Sequence, residues 1–295
     1  GRAKTVWRVA PDGELHDTFK KLDCLFDMEE EDFFRDYAEQ KKESVSNTYL
    51  STCKEVYTEL YNKIPENLPY SNIWVARRIY QELPKNSFIQ LGILNSLRSW
   101  NLFDSDSIVS EACNTGGFGI DGGVSSFIGA SLAKKADYYY CITGDLAFFY
   151  DMNILGNRHI ENNVRLMVIN NGVGVEFKFY HHQNDFIDID KYMGAGGHFG
   201  NKSNKLLKHF SEDLGFEYLS ASNKEEFEVA YSKFVSKKKD KPIVFEVFTD
   251  ATDDDKALYI IDHLQTSTLN QAVKKGIKDF VGQAGINTIK SIIKK

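Results

Sequence analysis

Short apolar runs alternate with helix-like segments along the chain from about residue 70. Five runs rich in Val, Ile, Phe and Tyr end in polar residues or glycine, and a sixth run is weaker. They cover residues 87–92, 108–113, 138–143, 164–170 and 243–248, with 217–221 as the weaker one. Residues 73–83, 121–134, 146–160, 203–214 and 224–237 have the apolar spacing that is typical of helices. This alternation predicts an α/β fold, a doubly wound and mostly parallel six-stranded sheet with helices on both faces.

The two ends of the chain differ from this alternating part. Residues 5–20 predict one short strand and a turn at Pro11-Asp12-Gly13, and residues 28–63 predict connecting helices that end before Pro65 and Pro69. Residues 266–295 combine lysines with Ile and Val, a pattern typical of a basic amphipathic helix on a membrane surface or a neighbouring subunit. Three glycines weaken that helix, so we favour an ordinary packed or frayed C-terminus.

Composition and charge exclude several classes of protein. The 295 residues are 42% hydrophobic, and 42 acidic against 36 basic side chains give a net charge of −6. Such a chain is too apolar for low-complexity disorder, and it has no concentrated basic face for nucleic acid. No apolar run reaches the roughly 18 residues of a membrane span. Four widely spaced cysteines suit a reducing cytosol, so we expect a cytoplasmic location.

Polar residues that suit a metal follow two successive strands of the predicted sheet. Gly144-Asp145 ends one run, and Asn170-Asn171-Gly172 ends the next, with Asn171 lying 26 residues after Asp145. Carboxylate, amide and carbonyl oxygens suit Mg²⁺ or Ca²⁺, and the N–H groups of Leu146 and Ala147 open a helix that can receive a diphosphate. Each motif alone is also a common helix cap or turn. Together they predict a metal-diphosphate site.

This spacing resembles the thiamine diphosphate fingerprint in the diphosphate-binding (PP) domain of 2-oxoacid decarboxylases and carboligases. The stretch 144–153, Gly119-Ile120-Asp121-Gly122 and Pro11-Asp12-Gly13-Glu14 are similar to the SEPHCHC synthases of menaquinone synthesis. The likeness covers about residues 5–35 and 70–260. It implies a cofactor of thiamine diphosphate with Mg²⁺, held by Asp145, Asn171 and the Val173 carbonyl. It also implies that Ile120 is the apolar wedge beneath the thiamine.

The resemblance also implies a domain organisation and a partner. Residues 1–35 would be the C-terminal remnant of a central domain, 36–69 a helical linker, 70–265 the PP domain and 266–295 a basic tail. The chain would then be a fragment of a lyase or transferase. The activating Glu would lie on a missing pyrimidine-binding domain, through which the enzyme forms a homodimer or homotetramer. We therefore expect the chain alone to bind the cofactor weakly and to be inactive.

Departures from the SEPHCHC pattern bear on the substrate. Thr115 stands where those synthases have an Arg that grips a substrate carboxylate, and Thr cannot replace a bidentate guanidinium. The substrate is therefore expected to be a small anionic 2-oxoacid other than the menaquinone intermediate, with Arg98 as the candidate for its anionic group.

The loop after the Asn-Asn turn offers one more candidate for catalysis. His181 or its neighbour His182 is a candidate for proton transfer near neutral pH, although paired loop histidines are more often solvated. The glycine-rich stretch 194–198 is more typical of a loop than of a phosphate cradle. Three alternatives stay open: SEPHCHC synthase itself, a split PP subunit of a sulfopyruvate- or phosphonopyruvate-type decarboxylase, and a non-catalytic binding module.

Overall fold

The computed structural model describes residues 3–40, 48–105, 108–117, 119–175, 203–238 and 240–264. The chain divides into two compact units, Gly1–Tyr61 and Asn62–Lys295. Within the described ranges, every helix is too short or too polar to cross a membrane.

The first unit pairs the predicted N-terminal strand with a strand that the sequence pattern missed. Strand β1 (Val6–Val9) runs parallel to β2 (Leu22–Phe26), and helices α1 (Glu30–Glu39) and α2 (Thr48–Asn62) follow within the predicted helical stretch. The ring of Phe26 lies 5.5 Å from that of Trp7 and 4.8 Å from that of buried Phe33. An aromatic cluster therefore joins both strands to α1.

The second unit is built on a six-stranded sheet in which every described strand pair is parallel. Its strands are β3 (Ser87–Leu91), β4 (Ile108–Cys113), β5 (Tyr138–Gly144), β6 (Val164–Asn170), β7 (Glu217–Ala221) and β8 (Ile243–Phe248). All six predicted strands are present, and their ends agree within one residue. The order across the sheet is β4-β3-β5-β6-β8-β7. The strand order thus changes direction between β3 and β5, because β4 lies on one side of β3 and all later strands lie on the other. Ligands bind at such positions in parallel sheets.

Seven α-helices of the second unit fall within the described residues. They are α3 (Asn72–Ile79), α4 (Asn95–Trp100), α5 (Gly123–Leu132), α6 (Asp145–Asp151), α7 (Leu206–Asp213), α8 (Lys224–Phe234) and α9 (Ala251–Asp262). Side-chain caps start three of them, because Ser71, Asn223 and Asp250 each accept a hydrogen bond from an N–H of the first turn. The predicted helix at 146–160 is shorter, since α6 passes into a 3₁₀ turn at Met152–Gly156.

Helices cover both faces of the sheet, as predicted. Phe127 of α5 and Phe148 of α6 join Cys141 of β5 in one buried cluster. On the opposite face, Phe234 of α8 packs against Tyr140 and Phe245, with ring centroids 5.5 Å apart in both pairs. Because both faces are buried, the central strands are almost continuously apolar. The α/β fold class predicted from the sequence is confirmed.

One buried hydroxyl in this core gives a first prediction. Tyr140 is fully buried on β5, and its hydroxyl has no hydrogen-bond partner among the described residues. Burial raises the pKa of this phenol well above its ordinary value. We expect Tyr140→Phe to raise the free energy of unfolding by about 1 kcal/mol in urea titrations, because an unsatisfied buried polar group is removed.

The neighbouring tyrosine is a matched control. Tyr139 is equally buried, but its hydroxyl accepts a 2.9 Å hydrogen bond from the Ala136 N–H. Tyr139→Phe should therefore lower the free energy of unfolding by about the same amount. Equal losses for the two variants would mean that the Tyr140 hydroxyl does have a partner.

Candidate functional site

The carboxyl ends of β5 and β6 bring the two predicted polar motifs together. The strands are neighbours, with Gly144 opposite Ile169, so Asp145 and Asn171 follow at the same edge of the sheet. The N–H of Gly172 donates a 3.1 Å hydrogen bond to Oδ2 of Asp145. Two segments that the spacing predicts to converge are therefore in direct contact. That Asp145, Asn171 and the Val173 carbonyl bind a metal stays a prediction.

Asp145 is a buried carboxylate at the start of a helix. Asp145 is 2% exposed, and it is the first residue of α6, directly after Gly144. Leu146 and Ala147 follow in the first turn, where backbone N–H groups have no acceptor within a helix. A carboxylate and the N–H groups of a first helical turn thus lie side by side, and a metal-bound diphosphate would need both kinds of group.

Asn171 is held by a residue that the sequence reasoning missed. Its Nδ2 donates to Oδ2 of Asp254 over 3.1 Å, and its Oδ1 accepts from the Val173 N–H over 3.3 Å. Asp254, on α9, is 5% exposed. Burial raises the pKa of its carboxyl, and the hydrogen bonds that it accepts oppose this shift. The sequence signal for this helix is Asp250, a residue type that often caps helices, followed by acidic residues in the first turn.

A second buried carboxyl supports the end of β6. Glu246 of β8 is 2% exposed and accepts 2.7 Å hydrogen bonds from the Tyr218 hydroxyl and from Nδ2 of Asn170. Burial raises the pKa of Glu246, these two bonds lower it, and the nearby charge of Asp145 raises it further. Three buried carboxyl groups, those of Asp145, Glu246 and Asp254, therefore lie around the ends of β6 and β8. A cation bound there would favour the ionised forms of these carboxyl groups.

A small cavity connects this region to the predicted substrate residue. Arg98, Asn95 and Ser99 of α4 line it together with Asn171 and Asp254. The structure therefore brings Arg98 to the candidate metal region, although the two lie 73 residues apart in the chain.

The backbone that leads into α4 is strained. Leu94 has φ +68° and ψ −116°, a region that costs a branched residue about 1–3 kcal/mol. Two residues earlier, Gly92 donates to the Ile142 carbonyl over 2.7 Å, and a Cβ there would lie 3.1 Å from Thr143 Cα. Strain of this kind clusters at functional sites.

The turn that carries Ile120 is anchored at the end of β4. Asn114 donates to the Gly122 carbonyl over 3.3 Å and to the Ser126 hydroxyl over 2.9 Å, while Gln90 donates to its Oδ1. Ile120 is half-buried, and Thr115 is exposed. The predicted wedge thus lies on a turn fixed by hydrogen bonds at the same edge of the sheet, and its role stays a prediction.

Several predicted features fall outside the described residues. They are His181, His182, the glycine-rich stretch 194–198 and the basic tail 266–295. A separate exposed group, Asp12, Glu14 and His16, brings its possible ligand atoms within 4.8 Å of one another in the first unit. Because Arg8 already donates two 2.6 Å hydrogen bonds to Asp12, this group is better explained as a surface ion pair.

Comparison with known proteins identifies relatives. No family model matches the chain. A 2-succinyl-5-enolpyruvyl-6-hydroxy-3-cyclohexene-1-carboxylate (SEPHCHC) synthase from Christiangramia forsetii is 34% identical over 191 residues, which is 65% of this chain and 32% of the synthase. The synthase from Bacteroides fragilis is 30% identical over 261 residues, 86% of this chain and 44% of the synthase. The chain thus spans less than half the length of these relatives.

A solved structure is also similar. The thiamine diphosphate-dependent 4-hydroxybenzoylformate decarboxylase of Rhodococcus jostii RHA1 has a TM-score of 0.46 and 16% identity, over 62% of this chain and 33% of that one.

The parallel sheet, with Asp145 and the Asn171 turn in contact at its carboxyl edge, defines an α/β domain with its candidate site at that edge. The sequence relatives confirm the predicted resemblance, because the curated proteins that the chain matches over most of its length are SEPHCHC synthases.

Proposed function

We propose that this chain is the cofactor-binding part of an enzyme that decarboxylates a 2-oxoacid with thiamine diphosphate and Mg²⁺, as a decarboxylase or as a carboligase that passes the acyl carbanion to an acceptor. The observation that carries the proposal is the contact between the Asp145 carboxylate and the Gly172 N–H. This contact brings Asp145 next to the turn that carries Asn171 and Val173. Carboxylate, amide and carbonyl oxygens together suit Mg²⁺, which also binds diphosphate oxygens.

Each candidate residue then has a distinct task. Asp145, Asn171 and the Val173 carbonyl would hold the metal, and the Leu146 and Ala147 N–H groups would bind the diphosphate. Ile120 would support the thiamine from below. When bound, thiamine diphosphate supplies an electron sink for the electrons released as CO₂ leaves. Arg98, on the cavity beside Asn171, would orient the anionic substrate.

The second candidate function is SEPHCHC synthesis itself. The names of the curated relatives favour it. The exposed Thr115 speaks against it, because a short hydroxyl cannot bind a carboxylate as an Arg fork does. We therefore place the substrate among small anionic 2-oxoacids without assigning one. Self-association into a dimer or tetramer is part of the proposal for the whole enzyme, and so is a cytoplasmic location.

Calorimetric titration tests the proposal. We expect the full 295-residue chain to bind thiamine diphosphate weakly in the presence of Mg²⁺ and to lose this binding when EDTA is added, because the metal links two groups of like charge. We expect no turnover of 2-oxoacids by the chain alone. Absence of binding at millimolar cofactor, with the chain folded by circular dichroism, would favour a non-catalytic module instead.

A further inference from the structure

Asp254 is a buried acid to which the proposed function gives no task. It lies on α9 and accepts hydrogen bonds from α3, from the residues just before α9 and from the turn after β6. The Asn72 N–H at the start of α3 donates to Oδ1 over 2.8 Å, and the Thr249 hydroxyl donates to Oδ2 over 3.0 Å. The third donor is Nδ2 of Asn171. The carboxylate is therefore fixed from several directions while it faces a candidate metal ligand.

The support extends one step further from the site. Asn72 is itself buried, and its Oδ1 accepts a 3.0 Å hydrogen bond from the indole Nε1 of Trp100, the last residue of α4. Trp100 is fully buried. A continuous chain of hydrogen bonds thus runs from Trp100 through Asn72 and Asp254 to Asn171. Buried polar side chains that are linked by hydrogen bonds in this way are held in one orientation.

The amide of Asn171 has two chemically different ends. Only its oxygen can bind a cation, while its NH₂ group can only donate. Both oxygens of Asp254 accept hydrogen bonds, Oδ1 from the Asn72 N–H and Oδ2 from the Thr249 hydroxyl. Asp254 therefore presents an acceptor to the amide and takes its NH₂ end. The oxygen must then point away from Asp254, to the side where it accepts from Val173.

We propose that Asp254 is a positioning residue, whose carboxylate holds the Asn171 amide with Oδ1 directed at the divalent metal. The inference rests on the proposed function, because it assigns the metal to Asn171. Partners of this kind orient the groups that bind a metal, and their loss costs 10–100-fold in metal affinity. The rival explanation is structural, with Asp254 serving only to attach α9.

Asp254→Asn separates the two explanations, since it preserves volume but introduces a second amide. The backbone N–H of Asn72 cannot turn, so the new oxygen is needed there and the new NH₂ group faces that of Asn171, which must turn over. We expect affinity for Mn²⁺, measured by electron paramagnetic resonance on the full chain with thiamine diphosphate present, to fall about 10–100-fold. Asp253→Asn is the matched control, because it makes the same change one residue away, in a carboxylate that pairs with Lys256, and we expect less than about a threefold change.

A swapped pair supplies the decisive readout. In the double variant Asp254→Asn with Asn171→Asp, the new amide can donate to the new carboxylate, which keeps a second oxygen for the metal. We expect Mn²⁺ affinity to recover at least about tenfold from that of Asp254→Asn. A structural role predicts that the double variant binds Mn²⁺ no better than Asn171→Asp alone, which adds the same charge to the metal site. Melting temperatures of all variants show whether folding is retained.

The possible results distinguish the role of Asp254 from the proposed function of the chain. Unchanged Mn²⁺ affinity in Asp254→Asn, or a double variant no better than Asn171→Asp alone, overturns the role of Asp254 and leaves the proposed function intact. A wild-type chain that takes up no Mn²⁺ with thiamine diphosphate overturns both.

Discussion

Replacing Phe245 with alanine is expected to lower the free energy of unfolding of the second unit by about 3–5 kcal/mol. Phe245 is fully buried in the middle of β8. Its ring stacks on Phe227 with centroids 5.3 Å apart and lies 5.5 Å from Phe234, so both ends of α8 depend on it. Truncation removes the buried ring and leaves a cavity that the two-sided sheet cannot close. Urea unfolding followed by circular dichroism measures the loss.

Val229→Ala is the control for that experiment. Val229 lies on α8 as Phe227 does, but it is 80% exposed, so its truncation should change the free energy of unfolding by less than about 0.5 kcal/mol. Similar losses for both variants would contradict the packing of α8 on this face of the sheet.

The buried position of residues such as Phe245 explains why so much of the fold was predictable. Strands covered on both faces are mostly apolar, and Val164–Asn170, which is buried at every position, is apolar except at Arg165 and Asn170. Such runs stand out from the charged helices between them. Once six runs alternate with helical segments, the rules of chain connection leave few topologies other than a parallel sheet.

The missed elements lack that signal. Strand β2 has only five residues and includes Asp23, and no residue of it is fully buried. Helix α4 has six residues and begins after the strained Leu94, a conformation that no local preference predicts. Helix α9 opens with a run of acidic residues that resembles a solvated loop. These elements exist because of tertiary packing, which overrides local propensity.

The candidate site also contains residues that the sequence predicts and residues that it does not. Asp145 and Asn171 were predictable because each directly follows a strand, and neighbouring parallel strands end at one edge. Asp254 and Glu246 were not, since their partners Asn171 and Asn170 lie 83 and 76 residues away in the chain. Contacts of that separation follow from the packing of β6 beside β8, and no spacing rule encodes them.

Asp145→Asn is expected to weaken metal-dependent binding of thiamine diphosphate by at least about 100-fold, about 2.7 kcal/mol in binding free energy. The substitution removes the one negative charge in the predicted donor set of Asp145, Asn171 and the Val173 carbonyl. An amide oxygen is a much poorer ligand for Mg²⁺ than a carboxylate. Calorimetric titration with Mg²⁺ present measures the loss. Asp137→Asn, an exposed change at the opposite end of β5, should leave binding unaltered.

We expect Asp145→Asn to weaken cofactor binding without lowering the stability of the fold. The new side chain keeps an oxygen that can accept the Gly172 N–H, so the contact between the two loops survives. It also removes a buried charge whose repulsion helps to raise the pKa of Glu246. We therefore expect the melting temperature without cofactor to be unchanged or higher, because a residue selected for binding is often kept at a cost in stability. A variant that loses binding and melts much earlier would instead show that Asp145 acts as a structural cap of α6.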